Sequence, residues 1–506
     1  MTTSVFFTNL LWVLLLANWV IEWNWREKFS NFKQNHLLQA FLVLGAVHLL
    51  WLIGTENLSY GLFDMQKKLP LIAIPLVVLT TKPLSRKELL PVGFAYVTTI
   101  FVMSIVGLVR YFTMPDLPYR NLVPHISHIR FGLNICLTLV LLIYAAVKHR
   151  RLWLYIINLF LSAWFIVFLL MLHAYTAFII LLITAVVLLI AYRRHLSRTP
   201  RIIATATVAA VLLFTVGLTC IYHHDYYHLQ QIYTQPLPSS TANGNPYQHL
   251  DDGLIENGNY VHQYVCEKEM RREWPKYSNL PFDSITPNGY SIYPTLLRYL
   301  NGMGLTKDSL GMTHLQPCDI AAIEKGIANP VYIQHGPRKM YYVLFYEYEN
   351  YRCYRSVSNF SFLQRLELWR NAAHLFLEHP LFGVGTGDVV DQCHRRLEQI
   401  HSPLADTDLH THNQYLNFLL AFGLTGFLLI FFFFARAIVL NRYCRHALFT
   451  AFLCILLISF ISEDTLETLA GIMFTVMGFT LLHSPKSEEK PNPLNLKTSN
   501  CLPLIS

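Results

Sequence analysis

Residues 416–435 read LNFLLAFGLTGFLLIFFFFA, twenty consecutive residues without a charged side chain. At about 1.5 Å of rise per helical residue, a run of this length crosses the roughly 30 Å hydrocarbon core of a bilayer. The run is solidly apolar and lacks the period-two alternation of a lipid-facing barrel strand, so it reads as a membrane helix. Its two ends differ. His412-Asn413-Gln414-Tyr415 leads into it, and Arg436, Arg442 and Arg445 follow it. Basic residues gather in short cytoplasmic loops, so the His-Asn end faces outward.

The same pattern recurs outward along the 506-residue chain, which is 53% hydrophobic and 14% charged, with a mean hydropathy of +0.35. These values exclude ordinary soluble domains, disordered chains, coiled coils, collagens and small disulfide scaffolds. Apolar runs centre near Leu14, Leu44, Ala73, Thr99, Val140, Phe165, Thr184, Leu212, Phe431, Leu456 and Phe474. The expected fold class is an all-α polytopic membrane protein of about 11–12 transmembrane helices. Lys and Arg mark every second connection: Arg26 to Lys33, Lys82 to Lys87, Lys148 to Arg151, Arg193 to Arg201, and Arg436 to Arg445. Those connections are assigned to the cytoplasm. The first apolar run has no basic leader and no small-residue cleavage site, so it is expected to stay in the membrane.

Four segments follow. Residues 1–221 form an N-terminal membrane domain of about eight spans. Residues 222–412 form a large, mostly helical periplasmic loop, 413–483 a C-terminal membrane domain, and 484–506 a disordered cytoplasmic tail. Within the loop, Tyr290–Gly304 and Asp319–Ala328 read as short helices, and Lys339–Tyr348 as a strand or buried turn. Acidic residues outnumber basic ones there, so the net charge of +8 arises at the span ends. Dispersed cations of this kind do not make a nucleic-acid surface. Cys266, Cys318, Cys353 and Cys393 lie in the loop, where one or two disulfides or buried free thiols are both compatible with the spacing.

The candidate chemistry sits near the end of the loop. Gln364 to Phe376 has helical spacing, with Arg365, Trp369, Ala372 and Phe376 on one face and Pro380 and Gly383 ending the helix. Arg365 on that face calls for an anionic substrate, a local carboxylate, or an escape to water. Gly383-Val384-Gly385-Thr386-Gly387-Asp388 either brings backbone N–H groups to a phosphate or makes a tight turn. Asp406, Asp408, His410 and His412 could bind a divalent metal, yet their placement at a span entrance favours His412 as a general base. Arg130 at the mouth of another span suggests an anion or an internal carboxylate, with Glu463 and Asp464 as candidate partners. His223, His224, Asp225 and His228 read as a solvated loop start.

Arg365-x-x-x-Trp369, then Glu378-His379-Pro380-Leu381-Phe382-Gly383-Val384-Gly385, then His412-Asn413-Gln414-Tyr415-Leu416 with Gly423 and Gly426, resemble the O-antigen ligase and O-antigen polymerase superfamily. Ile255 to Tyr260, Arg298 to Asp308 and Glu463 to Glu467 resemble a branch found in Bacteroidetes-type bacteria. The resemblance implies a fold like the C-type glycosyltransferases and a bacterial inner-membrane enzyme with its site facing the periplasm. It implies metal-independent, inverting transfer of a glycan from undecaprenyl diphosphate to a lipid A core acceptor, with no cofactor. Polymerases and protein O-glycan ligases share the donor, and a lipid-linked sugar flippase is the rival from another class. By position, Arg365 would bind the diphosphate and His412 would activate the acceptor hydroxyl. Arg130, Asn413, Trp369, Gly383, Gly385, Arg338, His410 and Glu463 would line the substrate. His173-Ala174-Tyr175 stands where many relatives carry Ser-Arg-Gly, so either Arg130 or another loop arginine (Arg338, Arg352, Arg355) supplies that charge, or the donor is held differently. The expected site is thus a positively charged pocket, since guanidinium groups stabilise a departing diphosphate and a neutral imidazole accepts a proton near pH 7.

Overall fold

The computed structural model describes residues 5–82, 84–114, 117–148, 152–195, 197–229, 237–334, 336–355, 361–405 and 411–482. Among them are twenty α-helices and one short antiparallel pair of strands. The chain is an all-α polytopic membrane protein. It divides into two compact units, one made of Met1–Ala204 with Trp369–Ser506 and the other of Thr205–Leu368.

In chain order the first unit begins with α1 (Val5–Ile21), α2 (Trp25–Gln34), α3 (His36–Leu50), α4 (Leu58–Lys68) and α5 (Pro70–Thr80). It continues with α6 (Arg86–Thr113), α7 (His128–Lys148), α8 (Leu152–Met171) and α9 (Tyr175–Tyr192). Helix α10 (Arg198–Tyr227) holds the first division point. The second unit contains β1 (Ile255–Glu256), β2 (Asn259–Tyr260), α11 (Glu267–Glu273), α12 (Ile292–Gly302), α13 (Ser309–Met312), α14 (Pro317–Glu324) and α15 (Pro337–Tyr354). Helix α16 (Ser361–Glu378) holds the second division point. The first unit resumes with α17 (Val389–Gln399), α18 (Gln414–Leu440), α19 (Ala447–Ser462) and α20 (Leu469–Leu482).

All eleven apolar runs are helical, but they are not equivalent. Six described helices (α6 to α10 and α18) are long and apolar enough to cross a membrane, and α1 with α2 adds a seventh if that pair, bent by 116°, is one span. The expected count was higher because α3, α19 and α20 are only 14–16 residues long, and α5 has 11 residues and an internal proline. Short helices still bury their apolar faces. Phe41 of α3, Phe449 and Phe452 of α19 and Phe479 of α20 are at most 4% exposed, and their rings meet edge to face or tilted at 5.4–6.1 Å. Lipid supplies no hydrophobic drive between helices, so such close ring packing, rather than exclusion of water, holds them together.

Helix α18 is interrupted. Gly423 adopts φ 60° and ψ −170°, which only glycine takes readily. A broken helix inside a bilayer leaves backbone groups that must find partners in protein. The turn after α16 supplies them: Val384 N–H donates to Leu420 O at 2.8 Å and Gly385 N–H to Ala421 O at 3.0 Å, while Leu424 N–H donates to Pro380 O at 2.8 Å and Thr425 N–H to Leu381 O at 3.1 Å. This splice explains why residues 369–405, expected to belong to the large loop, group with the membrane helices.

The second unit has its own core around Trp274, Ile292, Leu296, Tyr299, Leu300 and Ile323, each fully or almost fully buried. The expected helices at Tyr290–Gly304 and Asp319–Ala328 appear as α12 and α14. Lys339–Tyr348 is not a strand or turn; it lies inside α15. Its aromatic residues suggested β structure, but Pro337 starts a helix well, and Tyr342 and Tyr346 fall one turn apart. Cys266, Cys318, Cys353 and Cys393 are free thiols, so of the two states compatible with the spacing the structure has the unbridged one. His223 to Asp225 continue α10 rather than opening a loop. The tail 484–506 lies outside the described residues.

Candidate active site

A cavity of about 280 Å³ opens in the first unit, lined among others by His48, Lys68, Arg130, His412, Phe422 and Glu467. Its walls come from α3, α4, the start of α7, the first half of α18, and the turn between α19 and α20.

His412 stands two residues before α18 rather than inside it. Asn413 is the N-cap, its Oδ1 accepting from Leu416 N–H at 3.1 Å, so the amide expected to meet substrate satisfies the helix start. His412 has a left-handed backbone, φ 48°, a conformation costing about 1 kcal/mol for a residue with a Cβ. Two contacts hold it there: the Trp369 indole N–H donates to Thr411 O at 2.8 Å, and Thr411 Oγ1 donates to Asn413 O at 3.2 Å. Trp369, expected to touch substrate, thereby braces the histidine. The imidazole is 30% exposed, and its Nδ1 lies 3.9 Å from Asp464 Oδ1.

Arg130 shares that carboxylate. Its Nη2 is 3.1 Å from Asp464 Oδ1 and 3.5 Å from Glu463 Oε2, with both acids almost fully buried. Its Nε–H is buried and meets no acceptor among the described residues. Ligand atoms of His412, Glu463 and Asp464 all lie within 4.8 Å of one another, a spacing that would suit a metal ion. Arg130 already bridges the two carboxylates, however, and supplies the positive charge a metal would bring.

A second ion cluster lines the same cavity. Lys68 Nζ lies 2.7 Å from Asp64 Oδ2 and 2.8 Å from Glu467 Oε2, and Lys67 Nζ is 3.2 Å from Asp64 Oδ1. Burial works against the charge on Lys68, but the Glu467 and Asp64 carboxylates outweigh it and raise its pKa. Burial likewise opposes ionisation of Glu467, yet Lys68 and the Gln414 amide hold its carboxyl well below the usual range. Asn417 Nδ2 donates to the same carboxylate at 2.6 Å. Three cations, Lys67, Lys68 and Arg130, thus face four carboxylates. The expected excess of positive charge is not found among these residues, because each buried cation in this unit comes with its own anions.

The glycine turn does not offer its N–H groups to a ligand. Gly383 N–H donates to His379 O and Gly385 N–H to Ala421 O. A Cβ at Gly383 would lie 2.3 Å from Leu420 O, so the tight-turn reading accounts for the motif. Asp388 accepts from the backbone N–H groups of Glu56 and Asn57 at 2.9 and 2.8 Å, fixing the start of α4 and hence Lys68.

Of the remaining expected residues, Arg338 belongs to the second unit. It pairs with Asp225 at 3.4 Å and donates to the Tyr342 hydroxyl at 3.1 Å. Arg365 also belongs to the second unit, half-buried on α16 one turn before Trp369. His410 lies outside the described residues. The sequence reading missed His48, Asp64, Lys68, Gln414 and Asn417. One signal was available: Asp64 and Lys68 form an acid–base pair four residues apart beside an apolar run.

Residues 336–431 match the family model described as O-antigen ligase. The segment includes Arg365, Trp369, the glycine turn, His412 and the first half of α18, and it supports the O-antigen ligase superfamily for this chain. No curated protein matches the chain.

Proposed function

We propose that this multi-pass membrane protein transfers a glycan from undecaprenyl diphosphate to the core oligosaccharide of lipid A at the periplasmic face of a bacterial inner membrane, inverting the anomeric centre without a metal. The family match over residues 336–431 supports an O-antigen ligase or polymerase type of function. The observation that carries the finer reading is the meeting of His412, Arg130 and Asp464 at one cavity wall, at the outward end of a broken span.

In this reading the acceptor hydroxyl oxygen attacks the anomeric carbon from the face opposite the diphosphate, and the His412 imidazole takes the hydroxyl proton. The glycosidic carbon–oxygen bond to the diphosphate breaks, and its electron pair leaves on the phosphate oxygen. The free Nε–H of Arg130 donates to that developing charge. Arg365 serves as the loop arginine that binds the diphosphate. Asp464 holds Arg130 and faces the imidazole, stabilising the imidazolium that forms. Backbone strain at a residue with a reactive side chain, as at His412, is typical of pre-organised sites.

The test uses purified full chain, a polyprenyl diphosphate glycan and separate acceptors: lipid A core, a second lipid-linked repeat unit, and a serine-rich peptide. Labelled lipid A core is the expected product; exclusive labelling of the repeat unit or the peptide replaces the acceptor assignment. His412→Ala and Arg365→Ala should each abolish transfer while the protein remains in the membrane. Near-normal transfer by both variants refutes the site. Activity lost in EDTA and restored by Mg²⁺ or Mn²⁺ overturns the metal-free mechanism.

A further inference from the structure

His48 is a buried histidine inside an apolar helix, and its chemistry is not used by the reaction above. Its side chain lines the cavity and is 2% exposed. The ring Nδ1 lies 2.8 Å from Leu44 O one turn earlier. A carbonyl oxygen only accepts, so Nδ1 carries the proton and Nε2 presents a lone pair. That Nε2 is buried and has no hydrogen-bond partner among the described residues. A buried acceptor left unmatched forfeits the hydrogen bond it would make in water, and a donor brought by a ligand would restore it. The ring cannot turn away easily: Phe422 packs against it at 4.7 Å and Phe418 at 6.2 Å, both edge to face. The His48 carbonyl is held as well, accepting from Thr386 Oγ1 at 2.8 Å.

The surroundings decide what kind of donor fits. Lys68 Nζ is matched by Asp64 and Glu467, whereas Arg130, also paired with two carboxylates, keeps an unmatched buried Nε–H, so a phosphate is better served on the Arg130 side. The His48 side offers instead the ring of His48, the side chains of Phe418 and Phe422, and the side-chain carbonyl of Asn417, whose Nδ2 is taken by Glu467. Apolar aromatic surface with a few acceptors suits a neutral polyol, whose C–H surface packs and whose hydroxyls donate.

We propose that the inner wall of the cavity is a sugar subsite, in which His48 Nε2 accepts a hydrogen bond from a hydroxyl of a glycan residue while the diphosphate is held on the Arg130 side. This rests on the glycan-transfer reading of the same cavity. The sugar comes either from the lipid-linked donor or from the acceptor, and the chemistry required is the same.

The experiment measures binding to the full chain in nanodiscs for three probes: polyprenyl diphosphate without sugar, the same lipid with one sugar residue, and a soluble core oligosaccharide. The proteins compared are wild type, His48→Phe and His48→Gln. His48→Phe keeps an aromatic ring, somewhat larger, and removes both ring nitrogens; His48→Gln keeps an acceptor oxygen and a donor amide. His48→Phe should weaken one sugar-bearing probe about five- to tenfold, the loss of one neutral hydrogen bond, and leave sugar-free polyprenyl diphosphate unchanged. His48→Gln should recover most of that loss and so exclude a folding defect. Whichever probe weakens identifies the source of the sugar. Unchanged binding of both sugar-bearing probes, or an equal loss for the sugar-free lipid, overturns the subsite while leaving the transfer reading intact. Failure of the wild type to bind any polyprenyl diphosphate overturns the transfer reading itself, and the subsite with it.

Discussion

Replacing Gly423 by alanine tests whether the broken span organises the site. The new Cβ would stand 2.4 Å from the carbonyl carbon and oxygen of Leu381 and 2.5 Å from Phe382 N. These are backbone atoms and cannot swing aside, so the turn after α16 must retreat. The backbone at φ 60° and ψ −170° adds about 1–3 kcal/mol of strain for any residue with a Cβ. If the retreat breaks half of the four hydrogen bonds across the splice, at about 1 kcal/mol each, the total reaches about 3–5 kcal/mol. Gly93 in α6 is the control, since a Cβ there meets nothing within 4 Å; Gly93→Ala should be neutral or stabilise by up to about 1 kcal/mol. Thermal unfolding of both variants in detergent, followed by gel-filtration fluorescence, gives the comparison. Gly423→Ala should melt well below wild type and lose glycan transfer, because His412 leads directly into the same helix. Equal melting of the two alanine variants would refute the argument that the splice carries this stability.

Three further outcomes follow from the buried charges. Lys68→Met leaves Glu467 without its cation and Asp64 with Lys67 alone, and should destabilise the first unit by about 3–5 kcal/mol; adding Glu467→Gln should restore much of the melting temperature, and no restoration counts against an ion cluster. Trp369→Phe removes only the donor to Thr411 O, so kcat should fall while the melting temperature changes by less than that of Gly423→Ala; an unchanged kcat would show that His412 needs no such brace. In the second unit, burial lowers the pKa of Lys307 to about 7. Between that value and the ordinary lysine range the unfolded chain holds a proton that the folded unit lacks, so stability rises as pH climbs from 7 toward 10. The slope is at most about 1.4 kcal/mol per pH unit. Hydrogen exchange of the second-unit amides, corrected for intrinsic rates, should show this rise in wild type and a flatter profile in Lys307→Met.

Several features of the site were legible in the linear chain because they depend on local order. The helix through Trp369, the turn at Gly383 and the helix opening after His412 each follow from spacing and punctuation within about 25 residues. Arg130 near Glu463 and Asp464 was also foreseeable, since a charge at the membrane edge needs a counterion and few stood at the same depth. Three things were not legible. Whether backbone N–H groups of the glycine turn face a ligand depends on who else accepts from them, and the acceptors, Leu420 and Ala421, stand more than 35 residues away. The role of Trp369 hinges on a single carbonyl at Thr411. The tyrosine-rich stretch of α15 has residues suited to both strand and helix, and only its packing in the second unit selects the helix.

Apolar run length by itself determined that this chain is a bundle of membrane helices interrupted by one long polar segment, because a bilayer admits so few backbone solutions. Only the tertiary structure decided the charge of the cavity. Glu467 lies some 400 residues of chain from Asp64 and Lys68, and the pairing across that distance exists because buried charge must be neutralised wherever the fold brings it. The same holds for His48, an ordinary helix residue in sequence, which lines the cavity with one ring nitrogen unpartnered among the described residues once α18 packs its phenylalanines against the ring.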